Sequence, residues 1–215
     1  MNKIGILGSG IVAKTLGNGF IKMGHEVMLS SRDTSKLAEW QARAGEKAHT
    51  GSFEDAARFG DILVLAVAGR AAADVIEASG PQNMTGKTVI DTTNPIGSEP
   101  PQDGVIRYFT DSNESLMEIL QDRFPAVHFV KAFNSVGNAY MVNPRFKDGV
   151  PTMFICGNND GSKKEVAQIL QAFGWEVEDM GKATAAGSIE ALCILWCIPG
   201  FIHGRWSHAF KLLKA

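Results

Sequence analysis

Cysteine is scarce: three residues in a chain of 215, at no paired spacing. An odd number without pattern builds no disulfide framework, and a chain this long can bury a sufficient core without one. Such cysteine usage fits a reducing, cytoplasmic setting. An excess of either charge is also lacking, because acids and bases are mixed along the chain and the net charge is −2. Without a basic stripe or polybasic segment, neither nucleic acid nor a membrane surface is an expected partner. Long apolar runs are few. Ile4–Leu7 is too short for a signal peptide and lacks a cleavage site. The most apolar late stretch, Leu192–Ile202, contains Pro199-Gly200 and falls short of the roughly twenty residues of a membrane span. A soluble protein with no membrane partner is expected.

What the chain does have is alternation. Short apolar runs at Ile4–Leu7, Glu26–Leu29, Ile62–Val67, Thr88–Asp91, Phe129–Ala132, Thr152–Cys156 and Glu176–Val177 suit strands covered on both faces. Helical spacing separates them at Ile11–Met23, Thr34–Ala44, Ser52–Phe59, Ala71–Ser79, Asn113–Phe124 and Lys163–Phe173. Ser52 with Asp55 three residues on resembles a capping box. Pro95–Ser112, with Pro100-Pro101 and Asp103-Gly104, reads as a long loop. This order predicts an α/β fold, a Rossmann-type doubly wound and mostly parallel sheet with right-handed crossovers. Residues 1–182 form the expected Rossmann domain. Residues 183–215 are a short C-terminal helical appendage, helical over about 184–197 and interrupted at Pro199-Gly200, that packs on the domain or on a homodimer partner.

Gly8-Ser9-Gly10-Ile11-Val12-Ala13 matches G-x-G-x-x-A between an apolar strand and an amphipathic helix. Gly8 allows the tight turn, and Gly10 lets a pyrophosphate approach the helix N-terminus, where free N–H groups favour an anion. Ile11 and Val12 open that helix beside the ligand. About twenty residues on, where an NAD site carries an acid, this chain reads Ser30-Ser31-Arg32. Ser31 can donate to a 2′-phosphate and Arg32 can grip it with a planar fork. Lys36 and Ser9 can add to that grip, while Asp33 is expected to cap the following helix. NADP(H) is therefore the expected cofactor. Ala68 and Gly69 follow the strand ending at Val67 and should line it too. Asn94 and Asn134 end two further strands where the nicotinamide carboxamide would lie, although turn-forming asparagine is an equal reading. Lys131 reads as a base or, more simply, as a structural lysine. Cys193, Cys197, His203 and His208 do not have zinc spacing, and no metal is expected.

Gly8-Ser9-Gly10, Ser30-Ser31-Arg32, Val130-Lys131-Ala132-Phe133-Asn134, Ile155-Cys156-Gly157 and Asp179-Met180-Gly181 together resemble the NADPH-dependent coenzyme F420 (deazaflavin) oxidoreductase family. They are closer still to its relatives, the cytosolic domains of six-transmembrane metalloreductases. The resemblance implies an NADP-preferring Rossmann fold, with Ser9, Ser31, Arg32 and Lys36 on the 2′-phosphate. It also implies hydride transfer to a flavin or to coenzyme F420. Where the deazaflavin enzymes carry a histidine near the end of the sixth strand, this chain has Phe133. The expected function is hydride transfer between NADP(H) and a flavin, deazaflavin or other small acceptor. The alternatives are a non-catalytic NADPH-binding module or redox sensor and, with less support, a β-hydroxyacid or imine-type reductase.

Overall fold

The computed structural model describes residues 2–111 and 113–214; Met1, Ser112 and Ala215 lie outside them, Ser112 being the last residue of the expected loop. In chain order the elements are β1 (Lys3–Leu7), α1 (Ile11–Lys22), β2 (Glu26–Ser30), α2 (Ala38–Ala44), β3 (Ala48–Gly51), α3 (Phe53–Phe59), β4 (Ile62–Leu65) and α4 (Ala72–Ala78). There follow β5 (Thr88–Asp91), α5 (Leu116–Arg123), β6 (His128–Lys131), β7 (Thr152–Gly157), α6 (Asp160–Ala172), β8 (Glu176–Asp179) and α7 (Ala186–His203).

The strands form one sheet in the order β3-β2-β1-β4-β5-β6-β7-β8. Every neighbouring pair is parallel except β6 and β7. The chain fills one side of β1 first and then returns through β4 to fill the other. The carboxyl ends of β1 and β4 therefore form the switch point where such folds bind ligands. Helices cover both faces, so the central strands are apolar throughout, and β4 is buried along its whole length. One core layer joins Ile4, Ile6, Leu16, Phe20, Val64 and Phe173. The opposite layer joins Leu7, Leu63, Leu65, Ile76, Val89 and Leu120.

Local signals explain most of the boundaries. At α3 the Ser52 hydroxyl accepts from the Asp55 N–H at 3.1 Å, and Asp55 accepts from the Ser52 N–H at 2.9 Å. This completes the expected capping box. Asn159 caps α6 by accepting from Ser162 N–H at 2.9 Å, so that helix starts before the expected Lys163. A second capping box at Ser115 and Glu118 starts α5 later than the expected Asn113. Strand β3 escaped the sequence reading because Ala48-His49-Thr50-Gly51 is an edge strand, paired only with β2 and only partly buried. The loop after β5 carries only the isolated bridges Ile96–Tyr108 and Gln102–Val105 among its described residues.

The C-terminal segment departs furthest from expectation. Helix α7 continues through Pro199-Gly200 to His203. Proline removes one donor, which would have served the carbonyl of Leu195, a residue on the helix's exposed side. With its preceding turn, Ala183–His203, it is long and apolar enough by composition to cross a membrane, which corrects the reading that no stretch is. Ile189, Glu190, Cys193 and Trp196 on its inner face are buried in the domain.

Candidate functional site

Strand β1 ends in the glycine loop, and the first turn of α1 follows at once. Gly8 has φ +146°, and a Cβ there would lie 2.2 Å from the Ala66 carbonyl oxygen, so the loop passes β4 at a distance only glycine allows. A Cβ on Gly10 would meet nothing within 4 Å, because it faces open space in front of the helix. No side chain caps the N-terminus of α1, and no acid lies in its first turn. Its free N–H groups and dipole are thus available to an anion.

These atoms line one wall of a cleft of about 730 Å³, within the usual range for a cofactor. Of the expected site residues, Gly8, Ser9, Gly10, Ile11, Val12, Ser31, Arg32, Lys36 and Ala68 line it. Arg32 is exposed there and pairs with no carboxylate among the described residues. Lys36 lies 3.8 Å from Asp33. Asp33 caps the short turn after β2 by accepting from Ser35 N–H at 3.1 Å and from the Ser35 hydroxyl. The Ser35 hydroxyl holds the Asp33 carboxyl below the usual carboxylate value, assisted by Lys36. One oxygen of this acid, Oδ1, is taken by its own turn.

Four expected residues do not line the cleft. Ser30 is fully buried and donates from Oγ to the Ile6 carbonyl at 2.8 Å, tying the end of β2 to β1. Gly69 is buried where the chain passes Asn94, whose carbonyl oxygen would lie 2.0 Å from a Cβ. Asn94 and Asn134 bond to each other. Asn94 Nδ2 donates to the Asn134 carbonyl at 2.8 Å, and Asn134 Nδ2 donates to Asn94 Oδ1 at 3.0 Å and to the Ile189 carbonyl at 2.9 Å. Residues that the sequence reading missed also line the cleft: Phe53 from α3, Thr92 after β5, Ala71 just before α4, and Asp74, Val75 and Ala78 along it. Their only sequence signal was a place just after a strand or on the helix that follows one.

At the carboxyl ends of β5 and β6 the chemistry turns inward. Lys131 Nζ lies 2.7 Å from Asp91 Oδ2 and 2.7 Å from Glu190 Oε1, and donates to the Thr93 carbonyl at 2.9 Å. All three charged side chains are essentially shielded from solvent. Burial alone would lower the lysine's pKa, but the Asp91 and Glu190 carboxylates outweigh it and hold the ammonium above its ordinary value. Lys131 is therefore charged and fully engaged, which fits the structural reading rather than a base. Glu190 also accepts from the N–H groups of Leu116 at 3.0 Å and Met117 at 3.2 Å, at the start of α5. Asp91 accepts from Thr93 N–H at 2.9 Å and its hydroxyl at 2.7 Å. Phe133 between these clamps has φ +62°, a strained conformation for a bulky residue. Its ring is buried in the core near Phe173. Burial pushes the Cys156 thiol near the triad up to about 12.

A doubly wound sheet with this glycine loop, an uncapped helix terminus and an arginine at the end of β2 defines a class, the Rossmann-type dinucleotide-binding folds. The comparisons agree. Residues 3–95 match the family described as NADP oxidoreductase, coenzyme F420-dependent. Metalloreductase STEAP3 of Rattus norvegicus is 28% identical over 190 residues, covering 88% of this chain and 36% of its own length. Metalloreductase STEAP2 of Homo sapiens is 26% identical over 189 residues, covering 88% of this chain and 35% of its own. The chain thus spans about a third of the length of these curated relatives. Among solved structures, a candidate F420-dependent NADP reductase from Arthrobacter sp. FB24 superposes with a TM-score of 0.93 at 29% identity, covering 100% of both chains. An imine reductase from Aspergillus terreus, with a TM-score of 0.68 at 17% identity over 95% of this chain and 63% of its own, shares the fold alone. The family resemblance read from the motifs is therefore borne out.

Proposed function

We propose that the protein binds NADP(H) in the 730 Å³ cleft and transfers a hydride between it and a flavin, deazaflavin or other small planar acceptor. The single observation that carries this reading is the convergence on one cleft of Arg32, Ser31 and the uncapped first turn of α1, with no acid at the end of β2 to repel a 2′-phosphate. Gly8, Ser9, Gly10, Ile11 and Val12 hold the pyrophosphate; Ser31, Arg32 and Lys36 hold the 2′-phosphate; Ala68 borders the cofactor beyond β4. NADPH supplies the hydride, and the protein's part is to orient the rings and exclude water. Ser30 and Gly69 shape the walls from behind. Asn94 and Asn134 fix the carboxyl edge beside the nicotinamide end.

The state of Lys131 favours a ring acceptor. Its ammonium, Asp91 and Glu190 satisfy one another, so this cluster offers no proton donor for a carbonyl or imine. The same observation supports a second reading, a module that binds NADPH without turnover. The test is NADPH oxidation, with and without oxygen, against FMN, FAD, coenzyme F420, ferric chelates and small carbonyls, together with a binding titration. Turnover with a flavin or deazaflavin is the expected result. Tight binding without turnover on any acceptor would favour the second reading, turnover on carbonyls alone would overturn the ring acceptor, and absence of NADPH binding would overturn both.

A further inference from the structure

Asp74 lines the same cleft as Arg32 and Lys36, from the first turns of α4. Its side chain is exposed and pairs with no lysine or arginine among the described residues. An unpaired carboxylate in a cleft for a polyanion lowers affinity unless a donor of the ligand meets it. The other acid of the cleft, Asp33, has Oδ1 taken by Ser35 and Oδ2 drawn toward Lys36 at 3.8 Å, whereas Asp74 has no such partner among the described residues.

Resting on the NADPH reading above, we propose that Asp74 recognises the adenine base, its carboxylate accepting a hydrogen bond from the 6-amino group. NADPH has few donors to offer: that amino group, the carboxamide and the ribose hydroxyls. The carboxamide belongs at the far end, beyond β4 and β5, because Arg32 and Lys36 fix the 2′-phosphate at the near end. The base lies next to that phosphate. The surfaces accompanying Asp74 suit a flat aromatic ring, with Phe53 from α3, Ala71 just before α4, and Val75 and Ala78 on it. A carboxylate only accepts, so at the 6-position it meets a donor in a 6-amino purine and a repelling carbonyl in a 6-oxo purine, whose nearest donor is the ring N1–H one atom away.

The test compares binding of NADPH with that of reduced nicotinamide hypoxanthine dinucleotide phosphate, which differs at that one group. The wild-type protein should prefer NADPH by about tenfold or more. Asp74→Ala should bring the ratio close to one. Asp74→Asn, whose amide can donate to a carbonyl, should shift the ratio toward the hypoxanthine analogue. Asp74 also sits in the first turn of a helix, where an acid favours the dipole. A variant that melts earlier but keeps the wild-type ratio would show that role alone and overturn the proposal. Equal strengthening of both ligands by Asp74→Ala would reduce Asp74 to simple repulsion and overturn it as well. A wild-type protein that binds neither dinucleotide would instead remove the NADPH reading on which this one rests.

Discussion

The two halves of the sheet's carboxyl edge are built in opposite ways. At β1 and β2 the polar groups face solvent: main-chain N–H groups of α1, Ser31, and an Arg32 without a carboxylate partner. At β5 and β6 most of them face one another, with Lys131 buried between Asp91 and Glu190 and Asn94 bonded to Asn134, whose buried Oδ1 alone of that amide pair lacks a partner among the described residues. A surface for a charged ligand must leave its donors unsatisfied until the ligand arrives. A buried cluster is stable only when its charges are paired with one another. Opposite consequences for stability and binding follow.

The sharpest way to break this comparison is Lys131→Met. It leaves two buried carboxylates without their cation and should cost about 3–5 kcal/mol in denaturant unfolding. Arg32→Ala should stay within about 0.5 kcal/mol of wild type, as a solvated surface change does. The lysine is held above its unfolded value of 10.5, so its contribution is complete below that pH and is lost only as pH rises through the higher folded value. The lysine itself should therefore add no pH dependence to the deficit over roughly pH 6–9. An Arg32→Ala loss as large as that of Lys131→Met would erase the distinction between the halves.

Two glycines sharpen it within a single loop. Gly8→Ala forces a side chain into φ +146° and against Ala66, and should destabilise the fold by about 1–3 kcal/mol. Gly10→Ala has open space and should leave stability within about 1 kcal/mol, yet its methyl stands where a pyrophosphate would come. Affinity for NADPH and NADH should then fall together. Unchanged binding by Gly10→Ala would mean that the cleft holds its ligand some other way.

The same contrast explains what the sequence could reveal. The half at β1 and β2 uses contiguous stretches, Gly8 to Val12 and Ser31 to Lys36, whose turn chemistry and charge are local properties, so their meeting in one cleft was legible. The half at β5 and β6 brings together Asp91, Lys131 and Glu190 from β5, β6 and α7, and no local pattern announces a contact across such separations. Asn94 and Asn134 were placed correctly at strand ends, but their mutual bonding is a tertiary fact. Strand β3 and the length of α7 were missed for a related reason. Neighbours override weak local propensity at a sheet edge and carry a proline within a packed helix.

Arg32→Ala carries the next effect in size, on affinity rather than on stability. Losing a charge-assisted grip is worth about 1.5–3 kcal/mol, or roughly 10–100-fold weaker NADPH binding. NADH, which lacks the 2′-phosphate, should change by no more than about twofold. Equal losses for both dinucleotides would place Arg32 on the pyrophosphate and remove the reason for preferring NADPH.

The smallest effect separates exposed charge from buried charge most cleanly. The Lys36 side chain is 71% exposed and is drawn toward Asp33 at 3.8 Å, so water and that carboxylate both dilute its pull on a phosphate. Lys36→Met should weaken NADPH binding by only about two- to fourfold in dilute buffer. Near 1 M salt, where the screening length falls to about 3 Å, the difference should vanish. The stability deficit of Lys131→Met should persist in the same salt, because ions do not enter the space between Lys131, Asp91 and Glu190. Titrating both variants across one salt series tests the two halves against each other. If the Lys36→Met effect survives high salt, that lysine makes a closer and drier contact than its exposure allows, and the half at β1 and β2 is less open than its geometry implies.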